Sequence, residues 1–293
     1  MAGKISNAKD TIMNKLDCNQ DGTVDIQDII TQALRLPGIH VDRASFLKKE
    51  LFKNHSEEEI NEAIMKTPAL AGIPSDEIDM IADNVIKLER NYVSGISAAL
   101  GLPGGTAMAA TIPADIIQYY GYTLRATQKL LYLYGFPEIK VKNSGLELDS
   151  ETINQIILCL GIMNGVAGAN NAVKAMAKAL AAGVEKKLIN AALAKGAFYP
   201  FVKAVMKWFG VKLTKDVFAG FFKDTIPVVG GFIGGGITFF SFKPCCYRLK
   251  NVLKDTKLSN PDHKDTKEEN KIYESIIEAE FERIPDGETH NVT

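Results

Sequence analysis

The chain of 293 residues lacks the sequence signatures of the common catalytic centres. It contains no HExxH metalloprotease motif, no GxSxG nucleophile elbow, no glycine fingerprint for dinucleotides and no GxxxxGK(S/T) phosphate loop. The four histidines lie in predicted turns or near the C-terminus. Asp115 and Arg125 are embedded in the apolar half of the chain, but two such charges without a nucleophile or cofactor define no reaction. We therefore expect a protein that is not an enzyme, with a hydrolase of unrecognised site as the alternative.

Cysteine is also scarce. The four cysteines, at positions 18, 159, 245 and 246, form no CxxC pair, which favours reduced thiols in a cytosolic protein. The first sixteen residues have no apolar run followed by a cleavage motif, so nothing there directs secretion. The adjacent Cys245 and Cys246 could accept a lipid in a eukaryote, although two ordinary helix cysteines are the simpler interpretation.

Net charge is nearly absent, but the charges are segregated along the chain. The formal net charge is -1, yet thirteen Lys and Arg residues face three acids between positions 186 and 257, and ten acids face four bases after position 261. Aromatic residues accompany the basic stretch. This combination attracts an anionic membrane surface, where each cation contributes about 1 kcal/mol. Nucleic acid would feel the same charge, but we rank it lower because no nucleic-acid-binding module accompanies the lysines. Solvated helix faces are a further alternative.

One stretch near the N-terminus indicates its own ligand. Residues 17–28, with the sequence DCNQDGTVDIQD, place oxygen-bearing side chains at loop positions 1, 3, 5, 9 and 12 and a glycine at position 6. A hard divalent cation needs six or more oxygen ligands, and this spacing lets the chain wrap one ion and turn sharply at Gly22. The predicted ligands are Asp17, Asn19, Asp21, the carbonyl oxygen of Thr23, Asp25 and Asp28. We therefore predict one bound Ca²⁺, with Mg²⁺ as the alternative ion.

This loop resembles the calcium loop of an EF-hand. Apolar residues at helical spacing precede it from Asn7 to Leu16 and follow it from Ile29 to Leu34, so two predicted helices flank the loop. The family usually has glutamate where this chain has Asp28. The shorter carboxylate should weaken Ca²⁺ binding and could favour Mg²⁺ or a dockerin-like site. The alternative is an Asp/Asn/Gly turn between two helices that binds no ion.

EF-hands normally occur in pairs, and residues 36–42 are the candidate partner. This segment, with the sequence LPGIHVD, lacks acidic ligands, but its Ile39 or Val41 could pair with Val24 in the calcium loop. It would then be a degenerate hand, and the site would hold a single ion.

Most of the remaining local signals are helical. A capping box at Ser56 predicts a helix through Met65, and Ser75 opens a longer helix that is predicted to extend through Leu88. A last amphipathic helix is predicted over residues 267–281. Because we find no convincing strand alternation and no internal repeat, we predict an all-α fold.

Three long stretches carry no charged residue: 92–114, 152–173 and 225–242. Each is close to the roughly twenty apolar residues that are needed to cross a bilayer. Polar side chains interrupt them and are costly in hydrocarbon unless they are paired, whereas glycines at three- and four-residue spacing allow close helix packing. Tightly packed helices of a buried core and partial membrane insertion therefore both fit the sequence.

Short motifs punctuate this apolar region. They are Leu102-Pro103-Gly104-Gly105, Ile112-Pro113-Ala114-Asp115, Arg125 and Tyr134-Gly135, followed by Ile226-Pro227-Val228-Val229-Gly230-Gly231 and Gly234 to Gly236. Over roughly residues 92–255 they resemble the EcsC protein family and the related bacterial domain found behind membrane-associated GTPase modules. The resemblance implies a bacterial, membrane-associated helical domain. Here a predicted metal loop stands where those relatives have a GTPase module.

The sequence thus predicts a helical bundle with glycine-rich buried helices and a small EF-hand-like helix-loop-helix at its N-terminus. The predicted segments are the EF-hand-like module at 1–42, an amphipathic helical connector at 43–91, the EcsC-like domain at 92–258 and an acidic, partly disordered tail at 259–293. We expect Ca²⁺ to stabilise or regulate the bundle by setting the angle between the helices that flank the loop. We expect the protein in the cytoplasm, peripheral to or partly embedded in the inner face of the cell membrane. The alternative is a soluble scaffold with a structural metal and an unidentified protein partner.

Overall fold

The computed structural model describes residues 17, 22, 25–100, 108–139, 149–213 and 232–281, and it describes their side chains except at 97–100, 108–116, 211–213, 232–239 and 280–281. This described part of the chain contains eleven helices and no strand, which confirms the predicted all-α class. The helices are α1 (Ile26–Leu34), α2 (Arg43–Leu51), α3 (Glu57–Met65), α4 (Ser75–Leu100), α5 (Met108–Leu133), α6 (Ser150–Met163), α7 (Ala169–Ala181), α8 (Lys186–Ala194), α9 (Tyr199–Leu213), α10 (Phe232–Lys254) and α11 (Lys267–Phe281).

The helices form a bundle in which α10 joins two groups. In the first group, α4 packs against α5 and α10, and α5 also carries α1 and α2. In the second group, α6 packs against α7, α8 and α9, while α11 covers α7 and α8. Helix α10 contacts α6 as well as α4 and α5. One continuous cluster of buried apolar residues includes members of every described helix, so the two groups share a core.

Reciprocal hydrogen bonds determine where several helices begin. At α3, the Ser56 hydroxyl accepts from the Glu59 amide at 3.2 Å, and the Glu59 carboxylate accepts from the Ser56 amide at 2.8 Å. The capping box predicted at Ser56 is therefore confirmed. Thr266 and Glu269 form the same pair of hydrogen bonds before α11. The helix predicted over 267–281 is observed with those bounds.

Helices α4 and α5 are longer than their local signals predict. Helix α4 continues to Leu100 instead of ending at Leu88, and its extension is packed, since Val93 is fully buried. It therefore runs across position 91, where the change in composition predicts a boundary, and the division into segments stays a prediction. Helix α5 begins at Met108, so Pro113 lies beyond the first turn rather than within it. Tertiary packing therefore extends α4 past its local stop signal.

The second uncharged stretch, residues 152–173, contributes to the core. Every residue from Ile156 to Met163 is buried in α6. At Gly161 an added Cβ would lie 2.5 Å from Val205 Cγ2 and 3.1 Å from the Ala169 Cβ, so this glycine permits the close approach of α6, α7 and α9. In the part of this stretch that forms α6, the observed packing is that of a buried core. The stretches 92–114 and 225–242 lie mostly outside the described side chains.

A helix must be both long and strongly apolar to cross a bilayer, and no helix in the described part of the chain has both properties.

The Tyr134-Gly135 motif ends α5. Gly135 has a φ of +88°, and an added Cβ would lie 2.9 Å from Thr67 Cγ2, so both the backbone angle and the space favour glycine. The Tyr134 hydroxyl donates a hydrogen bond of 2.7 Å to Asp79 on α4. The motif therefore reverses the chain after α5 and ties that helix to α4, which is a structural explanation for both of its residues.

Candidate metal loop and its anchor in the core

The described chain includes four residues of the predicted calcium loop. They are Asp17, Gly22, Asp25 and Asp28 at loop positions 1, 6, 9 and 12. The other predicted ligands, Asn19, Asp21 and Thr23, lie outside the described residues. Coordination by the complete set therefore stays a prediction, and the described positions show how its two ends are held.

At the start of the loop, position 1 lies back against position 6. The Gly22 amide donates a hydrogen bond of 2.9 Å to Asp17 Oδ2. Gly22 has a φ of +84°, a left-handed conformation that a residue with a Cβ adopts only with strain. The glycine thus makes the sharp turn that an ion-wrapping loop requires at this position.

At the end of the loop, positions 9 and 12 form the start of α1. Asp25 is the N-cap, and its Oδ1 accepts from the amides of Gln27 at 2.7 Å and Asp28 at 3.2 Å. Asp28 Oδ2 accepts in return from the Asp25 amide at 3.0 Å, which completes a capping box. Asp28 is only 3% exposed. Both carboxylates are therefore held in fixed positions at the positive end of a helix, where negative charge is stabilised.

Helix α1 is inserted into the bundle rather than attached to its surface. It packs against α5, α6 and α9. Its apolar face is completely buried, with no exposure at Ile26, Ile29, Ile30 or Ala33. The side-chain nitrogen Nε2 of Gln27 lies 4.0 Å from the Met206 sulfur on α9. The closing half of the loop is therefore fixed to the helical core.

A side chain of α5 forms hydrogen bonds with the backbone of the segment proposed as a degenerate hand. Residues 36–42 form neither helix nor strand, and turns and bends occupy positions 36–38 and 40. The amide group of Gln128 on α5 bridges them: its Oε1 accepts from Val41 N at 3.0 Å, and its Nε2 donates to Ile39 O at 2.9 Å. Buried backbone groups need such partners, and here α5 provides them. The predicted pairing with Val24 involves a residue outside the described part of the chain.

A buried carboxylate between two cations lies beside this segment. Glu89 on α4 is fully buried and accepts from Arg125 Nε at 3.0 Å to each oxygen and from Lys129 Nζ at 2.6 Å. The Arg125 guanidinium also lies 5.6 Å from the centre of the Tyr92 ring and 5.2 Å from that of Tyr122. This arrangement joins α4 to α5 through ion pairing and cation–π contact. Arg125 therefore has a structural role, as part of a network of charged and tyrosine side chains.

Sequence reasoning identifies Arg125 but misses Glu89. The available signal is helical phase, since Val85, Ile86, Glu89 and Val93 occupy the buried face of α4. A glutamate in an apolar stripe needs a cationic partner, because a buried charge is costly without one. The side chain of Asp115, the other embedded charge, lies outside the described side chains.

Arg43 is a second buried charge that the sequence pattern does not reveal. It is 7% exposed and lies at the first position of α2. Its guanidinium donates to the carbonyl oxygens of Phe136 at 3.1 Å, Ile64 at 2.5 Å, Ala63 at 3.2 Å and Lys66 at 3.3 Å. Three of these carbonyls belong to the C-terminal end of α3, where the helix itself has no partner for them. Arg43 therefore caps α3 and binds it to the segment after α5.

Comparisons with known proteins give no relative. No family model matches the chain, and neither a curated protein nor a solved structure matches it. The resemblances to the EF-hand and to the EcsC family therefore stay predictions that depend on the residues quoted for them.

Proposed function

We propose that this chain is a non-enzymatic, calcium-binding helical protein in which one ion is held between the N-terminal loop and the rim of the bundle. The observation that carries the proposal is the start of α1, where Asp25 and Asp28 are locked by reciprocal hydrogen bonds on a helix that the core immobilises. Preorganised carboxylates lose little conformational freedom when they bind an ion. The hydrogen bond from Gly22 supports the same interpretation, because it holds the Asp17 carboxylate against position 6 of the loop.

The ion would act mainly on the segment before the loop. Because the apolar face of α1 is fully buried, turning this helix would open the core. We therefore expect the ion to change the angle by moving the predicted helix before the loop, while α1 stays in place. In such a site the ion stabilises the attachment of the N-terminal segment, in the manner of EF-hands that barely open on binding.

Calorimetry tests the loop. We expect the wild-type chain to bind one Ca²⁺, and Asp17→Ala combined with Asp21→Ala to abolish the heat of binding, because it removes two carboxylate ligands. At a free Ca²⁺ concentration of 100 times Kd, the ion should raise the free energy of unfolding of the wild type by about 2.7 kcal/mol. The matched control is Glu274→Ala combined with Glu278→Ala, which removes two exposed carboxylates from α11. Equal heats in the loop variant and the wild type, or no heat with either Ca²⁺ or Mg²⁺, would refute the proposal.

We further infer that the protein associates peripherally with an anionic membrane, along the adjoining faces of α4 and α10. The ion pairs from Lys250 to Asp83 at 2.5 Å and from Lys254 to Asp79 at 2.6 Å indicate an antiparallel arrangement. Extended along both helices, this register places Phe240 level with the Tyr92 end of α4.

The surface of this edge supports the inference. Phe240 is 77% exposed and Tyr92 is 53% exposed, and the exposed Lys243 follows Phe240 on α10. Aromatic rings beside cations are the combination that enters the headgroup region of an anionic bilayer.

Vesicle flotation tests this edge. We expect wild-type protein to float with phosphatidylserine-containing vesicles and not with neutral ones. Phe240→Ser combined with Lys243→Glu should reduce the bound fraction about tenfold or more, because reversing one charge removes about 2 kcal/mol of attraction. The control, Phe52→Ser combined with Lys53→Glu, makes the same changes at another exposed aromatic-lysine pair and should bind like wild type.

The same assay separates regulation from simple stabilisation. If the ion regulates membrane binding, adding a calcium chelator should lower the bound fraction of the wild type. No flotation with any vesicle, together with an intact heat of calcium binding, would instead favour the soluble scaffold with a structural ion.

A further inference from the structure

A second group of potential metal ligands lies between α10 and α11. The Nε2 atom of His263 is 3.0 Å from Glu269 Oε2 and 3.9 Å from Asp265 Oδ1. One ligand atom from each of these three residues falls within 4.8 Å of the other two. His263 is 7% exposed and Glu269 only 1%. Within the described residues, this is the group of three that comes close enough to share an ion.

The other ring nitrogen of His263 supplies an independent observation. Nδ1 lies 2.8 Å from Asp255 Oδ1, at hydrogen-bonding distance from a carboxylate. With its proton on Nδ1, His263 would donate to Asp255, and the lone pair of Nε2 would face the carboxylate of Glu269. Two acceptors 3.0 Å apart need a proton or a cation between them. Metal-binding histidines show this same carboxylate–imidazole pairing behind the ligand nitrogen.

Two lysines of α7 pair with the three carboxylates that surround His263. Lys174 contacts Asp255 Oδ2 at 2.5 Å and Glu269 Oε1 at 3.9 Å, while Lys178 contacts Asp265 Oδ2 at 2.9 Å. Asp255 thus receives Lys174 on Oδ2 and faces His263 with Oδ1. Three carboxylates and two ammonium groups leave one negative charge in excess, which favours a bound cation.

We propose that His263, Asp265 and Glu269 form a three-ligand site for a divalent transition-metal ion, of which Zn²⁺ is the best match. One imidazole nitrogen and two carboxylate oxygens are a mixed ligand set that suits Zn²⁺, whereas the oxygen-only N-terminal loop suits Ca²⁺. Zn²⁺ with ligands at about 2.0–2.2 Å in a tetrahedron separates them by about 3.4 Å. The distances of 3.0 Å and 3.9 Å from Nε2 lie on either side of that value. A fourth position is left for water.

The site would fasten α11 to the bundle. Lys174 and Lys178 belong to α7, against which α11 packs, and Lys178 also donates a hydrogen bond to Asn270. Glu269 lies in the first turn of α11, and Asp255 follows α10 directly. An ion bound here would therefore hold together the end of α10, the connecting turn and the start of α11.

Zinc binding to the full chain, saturated with Ca²⁺ and measured by competition with a chromophoric chelator, tests the site. We expect one equivalent of bound Zn²⁺ in the wild type and a loss of affinity of about 100-fold or more in His263→Ala. The calcium-loop variant, Asp17→Ala with Asp21→Ala, should keep the zinc. The matched control is His55→Ala, because His55 also lies between two carboxylates, 3.6 Å from Glu59 and 3.0 Å from Glu77. Among the described residues it belongs to no group of three ligands.

A second variant and a spectrum keep the test decisive. Asp265 is partly exposed, so Asp265→Asn should remain folded by circular dichroism while it weakens zinc binding about 10-fold or more. Co²⁺ in the site should show visible absorption bands that disappear with His263→Ala and persist with His55→Ala. The absence of zinc uptake by the wild type would mean that a proton on His263 bridges the carboxylates instead, and it would overturn the proposal. Equal zinc affinity in the wild type and both site variants would overturn it as well.

Discussion

Replacing Glu89 by glutamine is expected to lower the free energy of unfolding by about 3–5 kcal/mol. The substitution keeps the size of the side chain but removes the charge that Arg125 and Lys129 share. Both cations are about four-fifths buried, with side-chain exposures of 21% and 19%, so water replaces the lost carboxylate only in part. Breaking a buried ion pair from one side costs more than the pair contributes, because the remaining charge stays in place without its partner.

Urea unfolding followed by circular dichroism measures this effect. Glu62→Gln is the matched control, because Glu62 pairs with Lys66 at 2.7 Å on the exposed surface of α3 and should lose less than about 1 kcal/mol. The double variant of Glu89→Gln and Lys129→Gln should be destabilised by less than the sum of the two single variants, since the residues interact directly. A loss as small as that of the surface control would show that the network is not a stabilising element.

Replacing Arg43 by methionine is expected to lower the free energy of unfolding by about 3 kcal/mol or more. Methionine keeps the apolar stem, but it leaves four carbonyl oxygens without the guanidinium, and unpaired buried acceptors cost about 1–3 kcal/mol each before the structure relaxes. Arg43→Lys should restore only part of the loss, because a single ammonium group cannot reproduce the planar arrangement of donors.

Hydrogen exchange locates the damage. The amides of α3 should exchange faster in Arg43→Met than in the wild type, since the end of this helix loses its cap. Arg35→Met is the matched control, because Arg35 is exposed and the change should stay within about 0.5 kcal/mol. Unchanged exchange in α3 would contradict the capping role assigned to Arg43.

Local sequence signals predict those helices that are determined by interactions between neighbouring residues. The capping box at Ser56 and the amphipathic pattern over 267–281 both identify helices that the structure contains. The extension of α4 beyond Leu88 escapes such signals, because α5 and α10 stabilise it through tertiary contacts.

The buried charges depend on partners far away in the sequence. Glu89 meets Arg125 from another helix, and Arg43 reaches Phe136 nearly a hundred residues later. Helical phase flags Glu89 as unusual, but it does not identify its partners. The His263 group differs, because Asp255, Asp265 and Glu269 all lie within eight residues of the histidine. Its spacing is visible in the sequence, yet without the turn between α10 and α11 nothing shows that the side chains converge.

The burial of α1 limits how the N-terminal module can be exchanged or removed. A cut at residue 42, where the sequence suggests a module boundary, would take α1 away and leave its place in the core empty. A chimera would have to be joined before Asp25 to keep the bundle intact. The closing carboxylates, Asp25 and Asp28, would then be inherited with the body of the protein, and only the opening part of the loop could be transplanted between proteins.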